Sequence, residues 1–438
     1  MYNKINQELI EFIQKSPSCY QAVENISGKL IAEGYIQLPE SEEWKLESGG
    51  KYFVTRNCSS IIAFRIPKEE FNGFLITASH SDSPSFKIKS DPEILSEGCY
   101  IKLNTEKYGG SILSTWLDRP LSVAGQVVCK TEEGVSAKSV MIEKDMLIIP
   151  NIAIHMNNEL NKGYVLNPQK DMLPLFGDET AKNQFIKTIA KEIDVKAEDI
   201  LGYDLFLYCR DRGCILGNEG EFVASPRLDD LQSAFATLKG FIESEENKEL
   251  PVYCVFDNEE IGSGTRQGAA STFLADALSR ICEALRLTHS VYLQKLASSF
   301  MLSVDNAHAI HPNQPDKADL KNRPKLNGGV VIKQSASKSY ATDAIAEAVF
   351  KKICNKAKVP VQNFANRSDI PGGSTLGHIS TEKVSVTTID IGLAQLAMHS
   401  AYETAGAKDT FFLSEAVKAF YSAYIRATND GTFIIKEG

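Results

Sequence analysis

A chain of 438 residues, 43% hydrophobic and 24% charged, can bury a large core and has the length of two or three domains. Lys and Arg number 47 against 56 Asp and Glu, a net charge of -9, and no basic block carries interleaved aromatics, so nucleic acid is not an expected partner. No window approaches an apolar membrane span, and MYNKINQELIEFIQKS has no uninterrupted apolar run, so a membrane is not an expected partner either. Nine cysteines without a paired C-x-x-C framework agree with a reducing compartment, and the expected location is cytoplasmic.

In chain order, residues 1 to 35 predict helix, with Ile5, Leu9, Ile10, Phe12 and Ile13 at helical spacing. YFVTRN, SSIIAFRI and GFLITASH, ending at His80, predict successive strands. From about Asp91 to Phe222 come strand-like pieces (CYIKLN, LSVAGQVVC, SVMIEK, DLFLYCR, GCILG) broken by Gly, Pro and Asn, with one helical stretch from about Glu179 to Ile193. This segment reads as a β-rich insertion, and Cys209 and Cys214 read as thiols flanking a hairpin turn.

Beyond it helix and strand alternate: DDLQSAFATLKGFIES, VYCVF, STFLADALSRICEALRL, FMLSVD, SKSYATDAIAEAVFKKIC, SVTTIDIG, and a last helix through AVKAFYSAYIRA. The pattern predicts an α/β fold, a mixed sheet covered by helices with an inserted β-rich domain.

In open α/β sheets functional residues gather beyond the carboxyl ends of the strands. His80 and Asp82 end GFLITASHSD, Glu259 and Glu260 follow VYCVF in DNEEIGS, Asp305 closes SFMLSVD, and His399 lies shortly after VTTIDIG. Asp229, in SPRLDDLQSAF, stands where a helix begins, and its charge suits the helix dipole there. Each alone has a plain structural use as a satisfied histidine, a helix cap or a turn former. Together, two His and at least three carboxylates make the mixed nitrogen and oxygen set suited to zinc, with manganese or cobalt also fitting. A pair of ions roughly 3.5 to 4 Å apart needs a bridging carboxylate and leaves one Glu to handle protons. Of the neighbouring Glu259 and Glu260, one can hold metal while the other serves as base.

The blocks SPSCYQAVENISGKLIAEGY, ASHSDSPSFKIK, STWLDRPLSVAG, SPRLDDL, DNEEIGS, SVDNAHAIHPN, KSYATDAI and LAQLAMHSAYET follow one another from about Phe12 to the C-terminus. With them the chain resembles the aspartyl aminopeptidase family, the eighteenth family of metallopeptidases. The resemblance implies a phosphorylase/hydrolase-like zinc peptidase fold. It implies that His80 and Asp305 hold one divalent ion, that Glu260 and His399 hold the other, and that Asp229 bridges them. Glu259 matches the catalytic base, and Asp82 the acid that orients His80 from behind.

Residues 91–222 would form an inserted dimerisation domain within a proteolytic domain split into 1–90 and 223–438. Self-association into dimers and a tetrahedral dodecamer is implied, with His155, in IPNIAIHMNNE, similar to a histidine that reaches a neighbouring subunit's active site. Lys333 matches a basic residue that meets an acidic first side chain, with Tyr340 nearby. Of His308 and His311, His311 is expected to line the site. Gln21 stands where many members carry histidine, and His378 has no assigned role.

The expected substrates are peptides with a free N-terminus, favouring Asp or Glu first. A preference for apolar first residues, or an amidase or deacylase using the same metals, stays open. A metal-independent glycosidase would remain active under chelation, and a non-catalytic scaffold has no use for a spare Glu.

Overall fold

Every residue of the strand Leu250–Phe256 is buried, as a strand covered on both faces requires. Tyr253 and Val255 point into one core, while Val252, Cys254 and Phe256 point into another, the period of two of an extended chain. In the computed structural model, which describes residues 2–246 and 248–437, this strand lies fourth in a nine-stranded sheet. The order is Ile36–Gln37, Lys51–Arg56, Ser60–Arg65, Leu250–Phe256, Phe74–His80, Phe300–Val304, Thr387–Gly392, Val330–Gln334 and Val361–Ala365. Leu250–Phe256, Phe74–His80, Phe300–Val304 and Thr387–Gly392 run mutually parallel, so four carboxyl ends open on one edge. Antiparallel partners on both sides make the sheet mixed.

Helices cover both faces. Tyr2–Gln14, Cys19–Ala32, Leu228–Glu243, Ala344–Ala357 and Asp409–Ser422 contribute to the core that holds Tyr253 and Val255. On the other face Phe273–Ala284 places Phe273, Ala277 and Ile281 in the core that holds Ile76 and Val252. The helices Leu228–Glu243 and Asp409–Ser422 approach closely because position 240 is glycine: a Cβ there would lie 2.8 Å from the Ser414 carbonyl oxygen. Among the described residues no helix is long and apolar enough to cross a membrane.

The inserted unit is a six-stranded antiparallel sheet in the order Val135–Met141, Leu121–Lys130, Ile200–Cys209, Ser85–Ser96, Tyr100–Tyr108 and Leu175–Asp178. It has its own core around Phe86, Leu103, Trp116, Phe185 and Leu205. Its strands begin at Ser85 and end at Cys209, so they do not coincide with the 91–222 span read from composition. Cys214–Leu216 and Phe222–Ser225 instead join Glu403–Gly406, Ala394–Leu396 and Ala307–His308 in a separate five-stranded sheet. Cys209 and Cys214 therefore belong to different sheets and flank no hairpin; both are free thiols.

Three helix boundaries also differ from the sequence reading. The helix within Glu179–Ile193 is confined to Phe185–Glu192. The one in SKSYATDAIAEAVFKKIC starts at Ala344, because the Asp343 side chain accepts from Ala346 N and caps it there. The last helix stops at Ser422, and Ala423–Asn429 turns back on Thr432–Glu437 as a hairpin, with Gly431 at φ 75° in the turn and Ile425 buried in the main core.

Candidate metal centre

Three segments that supply the charged side chains contain or follow a non-glycine residue with left-handed backbone: Arg227 (φ 56°), Asn258 (φ 62°) and His399 (φ 68°). Each such conformation costs on the order of 1 kcal/mol and persists only where neighbours hold it. Asn258 is held by its side chain, which accepts from Thr265 Oγ1 (2.7 Å) and Gln267 Nε2 (2.9 Å). His399 is held by its N–H, which donates to Glu403 Oε1 at 2.7 Å.

His80 ends its strand, buried, with Nδ1 3.1 Å from the backbone carbonyl of Asp82 and 3.4 Å from its carboxylate. A carbonyl only accepts, so Nδ1 carries the hydrogen and Nε2 presents a lone pair. That Nε2 faces Asp229 Oδ1 at 3.6 Å and Asp305 Oδ1 at 3.9 Å. His399 repeats the pattern: Nδ1 lies 3.3 Å from the Gly110 carbonyl, and Nε2 faces Glu260 Oε2 at 3.3 Å and Asp229 Oδ2 at 3.5 Å. Lone pairs directed at carboxylate oxygens repel unless positive charge, either a proton on the ring or a metal cation, lies between them. Asp229 Oδ1 and Glu260 Oε1 are moreover buried without a hydrogen-bond partner.

The donors fall into groups compact enough to hold an ion: His80, Asp229, Asp230 and Asp305; His80, Glu259 and Glu260; and Asp229, Glu260 and His399. This chemistry of nitrogen and oxygen donors fits a divalent cation such as zinc.

The electrostatics agree. Burial alone would push His80 down, yet Asp230, Asp229, Asp305 and Asp82 hold it well above its ordinary value. Burial and then Asp229 push Glu260 well up. Burial, followed by the charges of Asp305, Asp82 and Asp229, pushes Glu259 up to about 8 against the downward pull of His80. Asp305 goes the other way: burial would raise it, but Lys333 and His80 bring it below the usual carboxylate range. At His80, Glu259 and Glu260 the pocket therefore favours added positive charge, and at Asp305 Lys333 already supplies it.

The structure thus gathers His80, Asp229, Glu259, Glu260, Asp305 and His399. Lys333 is there too, buried, with Nζ donating to Asp305 Oδ2 at 3.1 Å and lying 5.5 Å from the centre of the Tyr340 ring. The Asp82 carboxylate does more than face His80, since it accepts the backbone N–H groups of Glu259 (3.1 Å) and Glu260 (3.2 Å). Burial would raise Asp82, and His80, then the Tyr108 hydroxyl and the Glu259 N–H, bring it down.

Two expected site residues lie elsewhere in this chain. His155 sits in an exposed turn of the inserted unit, and His311 is exposed, with Nδ1 accepting from Asn313 N at 3.2 Å. It is His308 that approaches the centre. The short strand Ala307–His308 pairs in parallel with Ala394–Leu396, just before His399, and places His308 within electrostatic range of Lys333, Asp229 and His399.

Two further residues escaped the sequence reading. Asp230 is fully buried, and its Oδ2 accepts from His80 N at 3.2 Å. Glu403, also buried, accepts His399 N with one oxygen and Asp229 N (3.0 Å) with the other. The pairing of Ser225 with Glu403 between strands brings it beneath Asp229, and the only sequence signal is its place four residues after His399.

An α/β sheet that delivers a cluster of this composition to its strand ends defines a metal-dependent hydrolase. Residues 12–421 match the family described as Aminopeptidase I zinc metalloprotease (M18), and the chain belongs to that family of metalloaminopeptidases, as its sequence blocks suggested. It is 48% identical over 432 residues to a protein of Clostridium novyi (strain NT) named Probable M18 family aminopeptidase 2, covering 96% of this chain and 100% of that one. Among solved structures it resembles a chain in the "Cryo-EM structure of the Ape4 and Nbr1 complex" with a TM-score of 0.93 and 36% identity, covering 96% of this chain and 86% of that one. A second likeness is to the "Structure of S. cerevesiae mApe1 dodecamer", with a TM-score of 0.83 and 26% identity, covering 96% and 97%.

Proposed function

We propose that this chain removes single N-terminal residues from peptides, favouring Asp or Glu, and that it does so with two divalent cations, zinc before manganese or cobalt. The observation that carries the reading is the orientation of Asp229, whose Oδ1 faces His80 and whose Oδ2 faces His399. A carboxylate so placed bridges two positions, one completed by His80 and Asp305 and the other by Glu260 and His399. Cations bound there supply an acidified water and polarise the peptide carbonyl.

Glu259 lies beside His80 and Glu260 without being needed as a ligand. It accepts the proton of the attacking water and delivers it to the departing amine. Asp82 fixes the start of the Glu259–Glu260 pair and, through its backbone carbonyl, the ring of His80.

Lys333 is the one buried lysine beside the cluster among the described residues, which supports recognition of an acidic first side chain, with the Tyr340 ring as its wall. A lysine and a carboxylate about 4 Å apart attract by roughly 4 kcal/mol at an effective dielectric near 20, before desolvation. Its existing pairing with Asp305 Oδ2 favours the competing reading, a preference for apolar first residues.

The inserted unit serves as the dimerisation domain of a tetrahedral dodecamer, with His155 offered to a neighbouring subunit. Support comes from the dodecamer formed by mApe1 and from Ile152, Ile154 and Met156, which leave apolar surface exposed around His155.

The test is a panel of Asp-, Glu- and Leu-dipeptides, each free and N-acetylated, run alongside metal analysis. Two zinc equivalents, preference for acidic residues over Leu by more than tenfold, and no cleavage of blocked peptides are expected. Cleavage of blocked peptides at the same rate would defeat the aminopeptidase chemistry, and a Leu preference would defeat the role of Lys333.

A further inference from the structure

The strand Tyr100–Tyr108 belongs to the inserted sheet, not to the sheet that carries the metal-binding side chains. Its last residue and the two glycines after it nevertheless press on the centre from outside. The Tyr108 hydroxyl donates to Asp82 Oδ2 at 2.7 Å and accepts from Asn258 Nδ2 at 3.0 Å, so its one hydrogen and one lone pair are both used. Asp82 receives the N–H groups of Glu259 and Glu260, and Asn258 is the left-handed residue just before them. One hydroxyl therefore joins the two groups that fix where the Glu259–Glu260 pair begins.

The contact continues along the chain. Gly109 lies against Glu260, where an added Cβ would sit 3.1 Å from the Glu260 Cβ; one on Gly110 would sit 3.0 Å from His399 Nδ1. The Gly110 carbonyl receives the His399 Nδ1 hydrogen, and Ile112 N donates to the His399 carbonyl at 2.9 Å. At its other end the brace is seated in the insert: the Tyr108 ring meets Phe206, on the strand Ile200–Cys209, edge to face at 5.4 Å.

We propose that Tyr108, Gly109 and Gly110 form a brace through which the inserted unit holds the metal centre in register, with Tyr108 as a positioning residue. The proposal rests on the reading of Glu260 and His399 as ligands. It gives the insert a task inside each subunit, separate from assembly: metal retention depends on how the insert is seated. Groups that orient ligands from behind typically contribute 10- to 100-fold to metal affinity or activity.

The test uses the full-length protein as wild type, Tyr108→Phe, Gly110→Ala and His399→Ala, each loaded with zinc. Release of zinc to a chromogenic chelator, melting of the metal-free proteins, and kcat and KM on a free dipeptide are measured. Tyr108→Phe keeps the ring and its contact with Phe206 and removes only the hydroxyl. Both Tyr108→Phe and Gly110→Ala are expected to release zinc about tenfold faster. kcat should fall and KM stay near wild type, and Tyr108→Phe should lose more melting temperature in its zinc-loaded form than in its metal-free form.

Release and kcat of Tyr108→Phe at wild-type values would overturn the brace. So would a melting loss in its metal-free form equal to that of its loaded form, which makes the hydroxyl a folding contact alone. If His399→Ala retains zinc like the wild type, the ligand assignment falls and the brace with it. If His399→Ala loses zinc while Tyr108→Phe does not, the brace alone falls.

Discussion

Glu403→Gln tests how the centre is held from beneath. Each carboxylate oxygen of Glu403 is occupied by the backbone N–H of a different ligand residue, His399 at 2.7 Å and Asp229 at 3.0 Å. Glutamine offers one acceptor oxygen, and its amide turns donors toward the other N–H, so one bond is lost whichever way it rotates. Leaving a buried donor unsatisfied costs about 1–3 kcal/mol. A value of about 2 kcal/mol corresponds to roughly 30-fold in an equilibrium constant.

Once one backbone is released, nothing on Glu403 ties His399 to Asp229, and the cost divides between weaker metal binding and a less stable fold. Zinc affinity by competition with a chromophoric chelator, and urea unfolding of the metal-free protein, measure the two parts. Their losses should sum to about 2 kcal/mol. A Gln variant that matches the wild type in both refutes the reasoning.

Glu259→Gln should retain zinc yet lose on the order of 10²- to 10⁴-fold in turnover; near-normal turnover removes Glu259 from the proton path. Exhaustive chelation should abolish cleavage and lower the melting temperature, and free zinc at 100 times its dissociation constant should restore about 2.7 kcal/mol of stability for each site filled. Activity that survives chelation rules the metal-dependent reading out. Away from the centre, buried Asp409 accepts Asn327 N (2.7 Å) and Gly329 N (3.0 Å), and burial pushes it up to about 7. A folded value above the unfolded one means a contribution present below pH about 4 and lost as pH rises through about 7. Asp409→Asn should therefore flatten the decline of unfolding free energy across that window, and an unchanged slope counts against the burial of this carboxyl as its cause.

His80, Glu260, Asp305 and His399 were legible in the sequence because they follow apolar runs that must be buried strands, and parallel strands bring such ends to one edge. Asp229 was legible as an acid opening an amphipathic helix. Glu403 and Tyr108 were not, since their importance lies in which distant N–H or carboxylate they meet, and no local period encodes that. Asp230 was hidden by Asp229, as one acid of an adjacent pair looks spare until the chain bends. His308 and His311 sit in the same short block, and only the pairing of Ala307–His308 with Ala394–Leu396 separates them. The C-terminal hairpin was hidden because AYIRA continues the helical spacing of the segment before it; the turn at Gly431 and the burial of Ile425 decide otherwise. The edges of the inserted sheet were blurred for a related reason, as Ser85–Ser96 follows the strand ending at His80 with little change of composition.

The spread of donors from His80 to His399 also orders events during synthesis. The cluster of Asp229, Glu260 and His399 can close only once most of the polypeptide exists, whereas the cluster of His80, Asp229, Asp230 and Asp305 needs none of the residues after Asp305 as donors. Contacts so remote in sequence form late, after the intervening loops have closed.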